Sequence, residues 1–116
     1  MNDDYRKLKR RKTELTVQVI DAMTQQLLGT ISDLSESGMM IVAKKAIAPD
    51  GLYQFELIFP LSTGIAKPIN VGAHELWTES SAIDGVTVAG FRFIDISRDD
   101  KTRLRDWVNE PGSRYA

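Results

Sequence analysis

The sequence predicts a mainly β domain, either a small antiparallel barrel or a sandwich, with one helix at its C-terminal end. Three observations support this prediction. Six short segments show the period of two that is typical of strands, turn-forming residues separate them, and helical spacing of apolar side chains occurs only after residue 96. A chain of 116 residues has room for a single domain with a single core.

The predicted strands are bounded by residues that favour turns. They cover residues 15–20, 25–32, 39–43, 53–59, 69–77 and 86–94. The clearest is the fourth, in which aromatic and aliphatic residues occupy every second position. Pro60 ends that strand, and residues 61–68 are predicted to form a loop. A polar run from Ser32 to Gly38 is predicted to turn the chain between the second and third strands.

The last predicted element is an amphipathic helix. Ser97, with Asp100 three residues later, resembles a capping box at its start. Its apolar face is formed by Leu104, Trp107 and Val108. Pro111 is expected to end the helix, because proline cannot continue it.

Composition excludes several classes of protein. The chain has no cysteine, which rules out disulfide frameworks, thiolate zinc sites and thiol nucleophiles. No apolar run approaches the 18 or so residues that a membrane-spanning helix needs, and the charged first twelve residues, with no apolar run after them, are not expected to be a secretory signal. We therefore predict a cytoplasmic protein without a membrane span.

Charge is distributed unevenly along the chain. Residues 1–12 carry six basic and two acidic side chains, so the other 104 residues sum to −5 within a total of −1. We predict a flexible basic arm at residues 1–12, a folded domain at residues 13–110 and a short tail at residues 111–116. A cationic arm on an acidic body suggests a local anion-binding site.

The sequence supplies little for catalysis. The one histidine, His74, lies within a predicted strand and is expected at the surface or in a cross-strand contact, without a second histidine to share a metal. Ser35 and Ser37 have no general base near them in sequence. We therefore predict no enzyme activity, no metal site and no cofactor.

Two short motifs could bind a nucleotide. Arg6 and Arg10 are four residues apart, and their guanidinium groups can hold phosphate oxygens or the O6/N7 edge of guanine. Asp33, Ser35 and Gly38 follow as D-x-S-x-x-G. An aspartate can accept hydrogen bonds from the N1 and N2 donors of guanine. The simpler interpretations are a solvated terminus for the first motif and, for the second, an ordinary turn with a glycine at positive φ.

Together, and in this order, the motifs resemble those of the PilZ family of bacterial cyclic-di-GMP receptors. The family pattern is R-x-x-x-R before the first strand and [D/N]-x-S-x-x-G between the second and third strands. Arg6 and Arg10 match the first half, and Asp33, Ser35 and Gly38 match the second. The segment Gly90-Phe91-Arg92-Phe93, near the end of the last predicted strand, also looks family-like. The resemblance covers almost the whole chain, from Arg6 to the C-terminal helix.

The resemblance implies a six-stranded antiparallel β-barrel with a C-terminal helix, and an arm that folds over the barrel to clamp cyclic-di-GMP. Arg6 and Arg10 would then bind guanine edges and phosphates. Asp33 would accept from a guanine, Ser35 would add a hydrogen bond, and Gly38 would keep the turn open to the ligand. Binding would change the conformation of the arm and signal to a protein partner.

One position departs from the family pattern. Many members carry a further arginine where this chain has Tyr5, which leaves open whether one nucleotide or a stacked pair binds. Tyr5 or Trp77 could stack on a base. Two alternative functions remain: a small barrel that binds single-stranded nucleic acid, against which the acidic body argues, and a PilZ-like adaptor that binds proteins and no nucleotide.

Overall fold

The computed structural model describes residues 16–61, 64–65, 67–81 and 84–109. The predicted arm at 1–12 and tail at 111–116, with Tyr5, Arg6 and Arg10, lie outside the described residues. The strands are β1 (Gln18–Asp21), β2 (Gln26–Leu34), β3 (Gly38–Ala43), β4 (Leu52–Ile58), β5 (Pro60–Leu61), β6 (Gly64–Ile65), β7 (Ile69–Ser80) and β8 (Thr87–Ile96), and the helix is α1 (Arg98–Val108).

Six of the strands form a closed barrel in the order β1-β2-β3-β8-β7-β4, and each neighbouring pair is antiparallel. This confirms the predicted six-stranded barrel with one C-terminal helix and decides between barrel and sandwich. Closure pairs β1 with β4, so neither strand is left with an unpaired edge.

The barrel interior is filled by alternate residues of every long strand. Phe55, only 1% exposed, lies at the centre of the aromatic part of this core. Its ring centroid is 5.2 Å from those of Tyr53 and Phe91, stacked on the first and edge-on to the second. Such offset and edge-on pairs stabilise a core beyond the apolar area that they bury.

Helix α1 covers one end of the barrel with the predicted apolar face. Leu104 and Val108 are buried, and the Trp107 ring lies 4.6 Å from that of Phe59. Ser97 is the N-cap, since its side chain accepts a hydrogen bond from the backbone N–H of Asp100 at 3.1 Å. The helix ends at Val108, before the proline expected to end it.

Buried Asp100 ties the helix to strand β7. Its Oδ2 accepts a hydrogen bond from the backbone N–H of Asn70 at 3.1 Å, and its Oδ1 pairs with Arg103 at 2.9 Å. Arg103 also donates to the carbonyl oxygen of Pro68 at 3.2 Å. This network fixes the helix against the segment that leads into β7.

No helix among the described residues is long and apolar enough to cross a membrane.

Most strand boundaries differ from the prediction by one to three residues, and two differences change a predicted turn or loop. Strand β2 runs on through Asp33 to Leu34, so the connection to β3 is shorter than the polar run suggested. The reason is Leu34, which is fully buried and pairs with Met39, so its burial extends the ladder. The predicted loop at 61–68 contains a small hairpin, in which Pro60–Leu61 pairs with Gly64–Ile65.

Candidate functional site

A tight bend joins strands β2 and β3 and contains the serine of the second motif. The backbone N–H of Ser35 donates to the carbonyl oxygen of Gly38 at 3.0 Å. The Ser35 hydroxyl accepts from the backbone N–H of Ser37 at 3.3 Å and lies 3.4 Å from the same Gly38 carbonyl. The predicted turn chemistry is therefore present, with the serine hydroxyl stabilising the bend from within.

The bend forms one wall of a cavity of about 260 Å³ on the outer surface of the barrel. Asp33, Ser35 and Gly38 all line it, so the fold brings the three residues of the second motif together. Their assignment to a ligand remains a prediction. The opposite wall comes from strands β7 and β8, with Trp77 and Gly90 among its residues.

The cavity follows one row of outward-facing residues across four neighbouring strands. Asp33 on β2 pairs with Met40 on β3, Met40 pairs with Gly90 on β8, and Gly90 pairs with Trp77 on β7. Cross-strand neighbours are about 5 Å apart, so the backbones of Asp33 and Trp77 are roughly 14 Å apart. The two positions between them, Met40 and Gly90, are uncharged.

Gly90 makes room for the indole of Trp77. A Cβ placed on Gly90 would lie 2.2 Å from the indole Nε1 and 2.6 Å from Cε2, closer than van der Waals contact allows. The ring therefore occupies the space over Gly90, and Trp77 keeps 42% of its surface exposed. A planar, partly exposed indole in the wall of a cavity is suited to stacking on a nucleobase.

A β-bulge projects Trp77 outward. The register between β7 and β8 shifts between Glu75 and Trp77, so that Leu76 is an extra residue and is 54% exposed. Glu75 is buried, and its Oε2 accepts a hydrogen bond from the Thr78 hydroxyl at 2.5 Å, across the bulge. Its Oε1 accepts from the backbone N–H of Asp50 at 2.6 Å. Glu75 thus fixes the bulge from the interior side.

The structure corrects two conformational expectations for the second motif. Asp33 lies within strand β2 and not in a turn, because the pairing with Met40 continues past it. Gly38 begins strand β3 and does not have a positive φ; among the described glycines only Gly85 has one. The requirement at position 38 is instead close approach, since a Cβ there would lie 2.3 Å from the carbonyl oxygen of Phe91.

We therefore expect Gly38→Ala to lower the free energy of unfolding by about 1–3 kcal/mol, the range for overpacked sites. The new methyl group would push against backbone of β8 and separate β3 from β8 beside the cavity. Chemical denaturation measures this change. Ser37→Ala is the matched control in the same bend, and its exposed side chain predicts a change within about 0.5 kcal/mol. Equal effects of the two substitutions would contradict the close-approach explanation.

Charged side chains are few in the described lining of the cavity. Its lining includes one carboxylate, that of Asp33, and no lysine or arginine from the described residues. Arg6 and Arg10, the predicted cations, lie outside those residues, so their contribution remains a prediction. The described residues also contain no cluster of three potential metal ligands.

His74 lies on the outer side of β7, as expected for a surface or cross-strand residue. Its Nε2 is 2.5 Å from Oδ1 of Asp50, and it pairs in register with Leu52 and Arg92. The row formed by Leu52, His74 and Arg92 borders the row that ends at Trp77. His74 does not line the cavity.

Sequence reasoning named the second motif but missed the floor of the cavity. The sequence analysis does not predict Met40 or Gly90 as site residues, and it gives Trp77 only as a residue that could stack on a base. One signal was present for Gly90, because a glycine inside a strand often marks the close approach of another group. The identity of that group depends on strand register, which no single segment encodes.

Several solved structures share this fold. The Bacillus subtilis inhibitor of motility, MotI/DgrA, has a TM-score of 0.66 at 13% identity; the match covers 85% of this chain and 46% of that one, so this chain spans about half its length. The PilZ domain of YcgR from Escherichia coli, solved with c-di-GMP, has a TM-score of 0.62 at 17% identity over 85% of both chains. The PilZ domain of CeSA from a cellulose-synthesizing bacterium has a TM-score of 0.55 at 16% identity, over 85% of this chain and 93% of that one.

At these identities the structural likeness shows the fold alone. No curated protein matches the sequence. The family assignment comes from the sequence itself: the model of the PilZ domain matches residues 4–110, a range that contains both motifs and every element of the barrel. The chain belongs to the PilZ domain family.

Proposed function

We propose that this PilZ domain is a receptor for cyclic-di-GMP, and that the nucleotide binds on the outer face of the barrel at the cavity beside the β2–β3 bend. The observation that carries the proposal is the row that joins Asp33, Met40, Gly90 and Trp77 across four strands. Asp33 supplies a hydrogen-bond acceptor for a base edge, Met40 is uncharged, and Trp77 supplies an aromatic ring over Gly90. The β2–β3 bend closes one side of the cavity.

Asp33 and Trp77, the two ends of the row, have different roles in nucleotide binding. The Asp33 carboxylate accepts hydrogen bonds from the N1 and N2 donors of one guanine, which adenine does not offer. The Trp77 indole stacks on a base, because the ring is partly exposed and fits over Gly90, which has no side chain. A cavity of about 260 Å³ is smaller than the usual 300–1,000 Å³ of a ligand site, so other parts of the chain must cover the rest of the nucleotide.

The remaining part of the site is assigned to the basic segment before β1. Arg6 and Arg10 bring the positive charge that the described lining lacks, and two phosphates with a charge of about −2 require it. Closure of this segment over the nucleotide would convert binding into a change of surface shape. The domain then acts as an effector without catalysing a reaction.

A protein partner is the proposed recipient of the signal. Three large apolar side chains of the barrel strands are exposed, with 72% of Leu52, 54% of Leu76 and 50% of Ile94 accessible. Leu76 also lines the cavity, so a ligand there changes the surface that a partner would meet.

The test is calorimetric titration of the protein with cyclic-di-GMP and, in parallel, with cyclic-di-AMP. We expect binding of the guanine nucleotide and a preference over the adenine nucleotide of about fivefold to a hundredfold, the range for one well-paired base edge. Asp33→Asn, which keeps the size of the side chain but loses its charge, should reduce that preference. The same titration gives the number of nucleotides bound per chain.

The alternatives predict different results. A single-stranded nucleic-acid binder would bind a labelled oligonucleotide that cyclic-di-GMP cannot displace, with an affinity that falls steeply with salt. A PilZ-like adaptor would bind neither, and cyclic-di-GMP would not raise its melting temperature. Either result would overturn the receptor proposal.

A further inference from the structure

We propose that Glu75 is a positioning residue of the nucleotide site: it holds the Trp77 indole in place by joining the bulge of β7 to the loop at residues 48–51, and it acts on nucleotide affinity through that ring. The inference deepens the proposed function and rests on it. Glu75 does not line the cavity, so a direct contact with the nucleotide is not part of its role. Its burial, its hydrogen bonds and the two segments that it joins each support the assignment.

Glu75 occupies a position where the pattern of strand β7 favours an apolar side chain. The buried positions two and four residues before it hold Ala73 and Val71, and Glu75 continues this series at 4% exposed. Its register partner on β8 is Phe91, which is also buried. Burial of a carboxylate costs stability unless hydrogen bonds replace those lost to water. The presence of a glutamate here is therefore explained by the groups that it binds.

The two carboxylate oxygens of Glu75 bind two separate segments. Oε2 accepts a hydrogen bond from the Thr78 hydroxyl at 2.5 Å, and this bond spans Leu76 and Trp77. Oε1 accepts from the backbone N–H of Asp50 at 2.6 Å, which lies in the connection between β3 and β4. One side chain thus joins the residues on both sides of Trp77 to a loop of a different part of the barrel.

The loop at 48–51 is itself fixed to the barrel. The backbone N–H of Ala48 donates to the hydroxyl of Tyr53 at 2.8 Å, and the backbone N–H of Glu75 donates to the carbonyl oxygen of Gly51 at 2.9 Å. Asp50 has a φ of 58°, in the left-handed region that is unfavourable for a residue with a side chain. The bond from its N–H to Glu75 stabilises this conformation. The loop therefore gives the carboxylate a fixed support.

The Trp77 indole needs such a restraint in order to bind a base well. Gly90 provides the space for the ring, but Leu76 beside it is the extra residue of a bulge, and an extra residue is left out of the strand ladder. If the ring were free to move, part of the free energy of stacking would be used to order it when the nucleotide binds. The Glu75–Thr78 bond fixes the bulge beforehand, so stacking on Trp77 contributes more fully to affinity.

The first measurement needs no nucleotide. Fluorine NMR of the protein labelled with fluorotryptophan gives one resonance for each of its two tryptophans, Trp77 and Trp107. Glu75→Met removes both acceptors at similar length, whereas the amide of Glu75→Gln can accept from the Asp50 N–H and donate to the Thr78 hydroxyl. We expect Glu75→Met to shift or broaden the Trp77 resonance and to leave that of Trp107, on α1, unchanged. Glu75→Gln should leave both resonances unchanged.

The second measurement is calorimetric titration with cyclic-di-GMP. We expect Glu75→Met to weaken binding about threefold to tenfold, a part of what stacking on one base contributes. Glu75→Gln should bind like the unchanged protein, as should the control Glu79→Met, which is exposed on the same strand. In a Trp77→Ala background, Glu75→Met should weaken binding no further, because its effect depends on the ring. A purely structural role would lower affinity equally with and without the indole.

The outcomes separate this inference from the function on which it rests. An unchanged Trp77 resonance, an unchanged affinity or equal losses in the two backgrounds would overturn the assignment of Glu75 and leave the receptor function standing. If the unchanged protein does not bind cyclic-di-GMP, the proposed function fails even where the Trp77 resonance responds to Glu75→Met, and the role in nucleotide binding fails with it. Should Glu75→Met not fold, Thr78→Val removes one of the two bonds at a half-buried position, and the same criteria apply to it.

Discussion

Arg10→Ala is expected to weaken cyclic-di-GMP binding by about tenfold to more than a hundredfold. The change removes a charge-assisted hydrogen bond, which contributes roughly 1.5–3 kcal/mol, from a site whose described lining has a carboxylate and no cation. Arg6→Ala should have an effect of the same order, because the two arginines are proposed to hold the same nucleotide. Calorimetric titration of each variant measures the effect.

The control for these substitutions is Lys12→Ala, which removes a positive charge from the same segment outside the R-x-x-x-R motif. If attraction by the whole basic segment were the cause, all three variants would lose affinity similarly, and the loss would vanish at high salt. If Arg6 and Arg10 make direct contacts, only their variants should lose affinity strongly. Equal affinities of Arg10→Ala and the unchanged protein would remove Arg10 from the site.

Phe55→Ala is expected to have the largest effect on stability, lowering the free energy of unfolding by about 3–5 kcal/mol. Phe55 is 1% exposed and contacts the rings of Tyr53 and Phe91, so its removal leaves a cavity at the centre of the aromatic core. Chemical denaturation followed by tryptophan fluorescence would measure the change.

Leu52→Ala provides a matched control on the same strand. Leu52 points to the outer face and is 72% exposed, so its truncation should change the free energy of unfolding by no more than about 0.5 kcal/mol. Similar losses for Leu52→Ala and Phe55→Ala would show that β4 does not place its alternate residues inside the barrel. Because Phe91 both packs on Phe55 and lines the cavity, Phe55→Ala should also weaken nucleotide binding.

The strands and the helix could be predicted because their signals are local. The alternation along β4 and the helical spacing of Leu104 and Val108 each lie within one segment, and the buried face in the structure is the one that the pattern predicts. The end of β2 could not be predicted in this way. The polar residues around Leu34 favour a turn, but its burial against the core extends the strand.

From the sequence alone, the second binding motif can be recognised only as an aspartate, a serine and a glycine at fixed spacing. Three of its residues do meet at one cavity, yet their reasons for being there differ from those inferred locally. Asp33 is held in a strand ladder, and Gly38 is required by the nearby carbonyl oxygen of Phe91, more than 50 residues later. Such contacts depend on which strands become neighbours.

Local sequence patterns are enough to predict a small β domain with a terminal helix, and to identify residues whose chemistry suits a guanine nucleotide. The row formed by Asp33, Met40, Gly90 and Trp77 exists only in the closed barrel. The physical reason is that barrel closure and the bulge at Leu76 set the register between strands distant in sequence. A shift of one residue would turn each of these side chains to the opposite face.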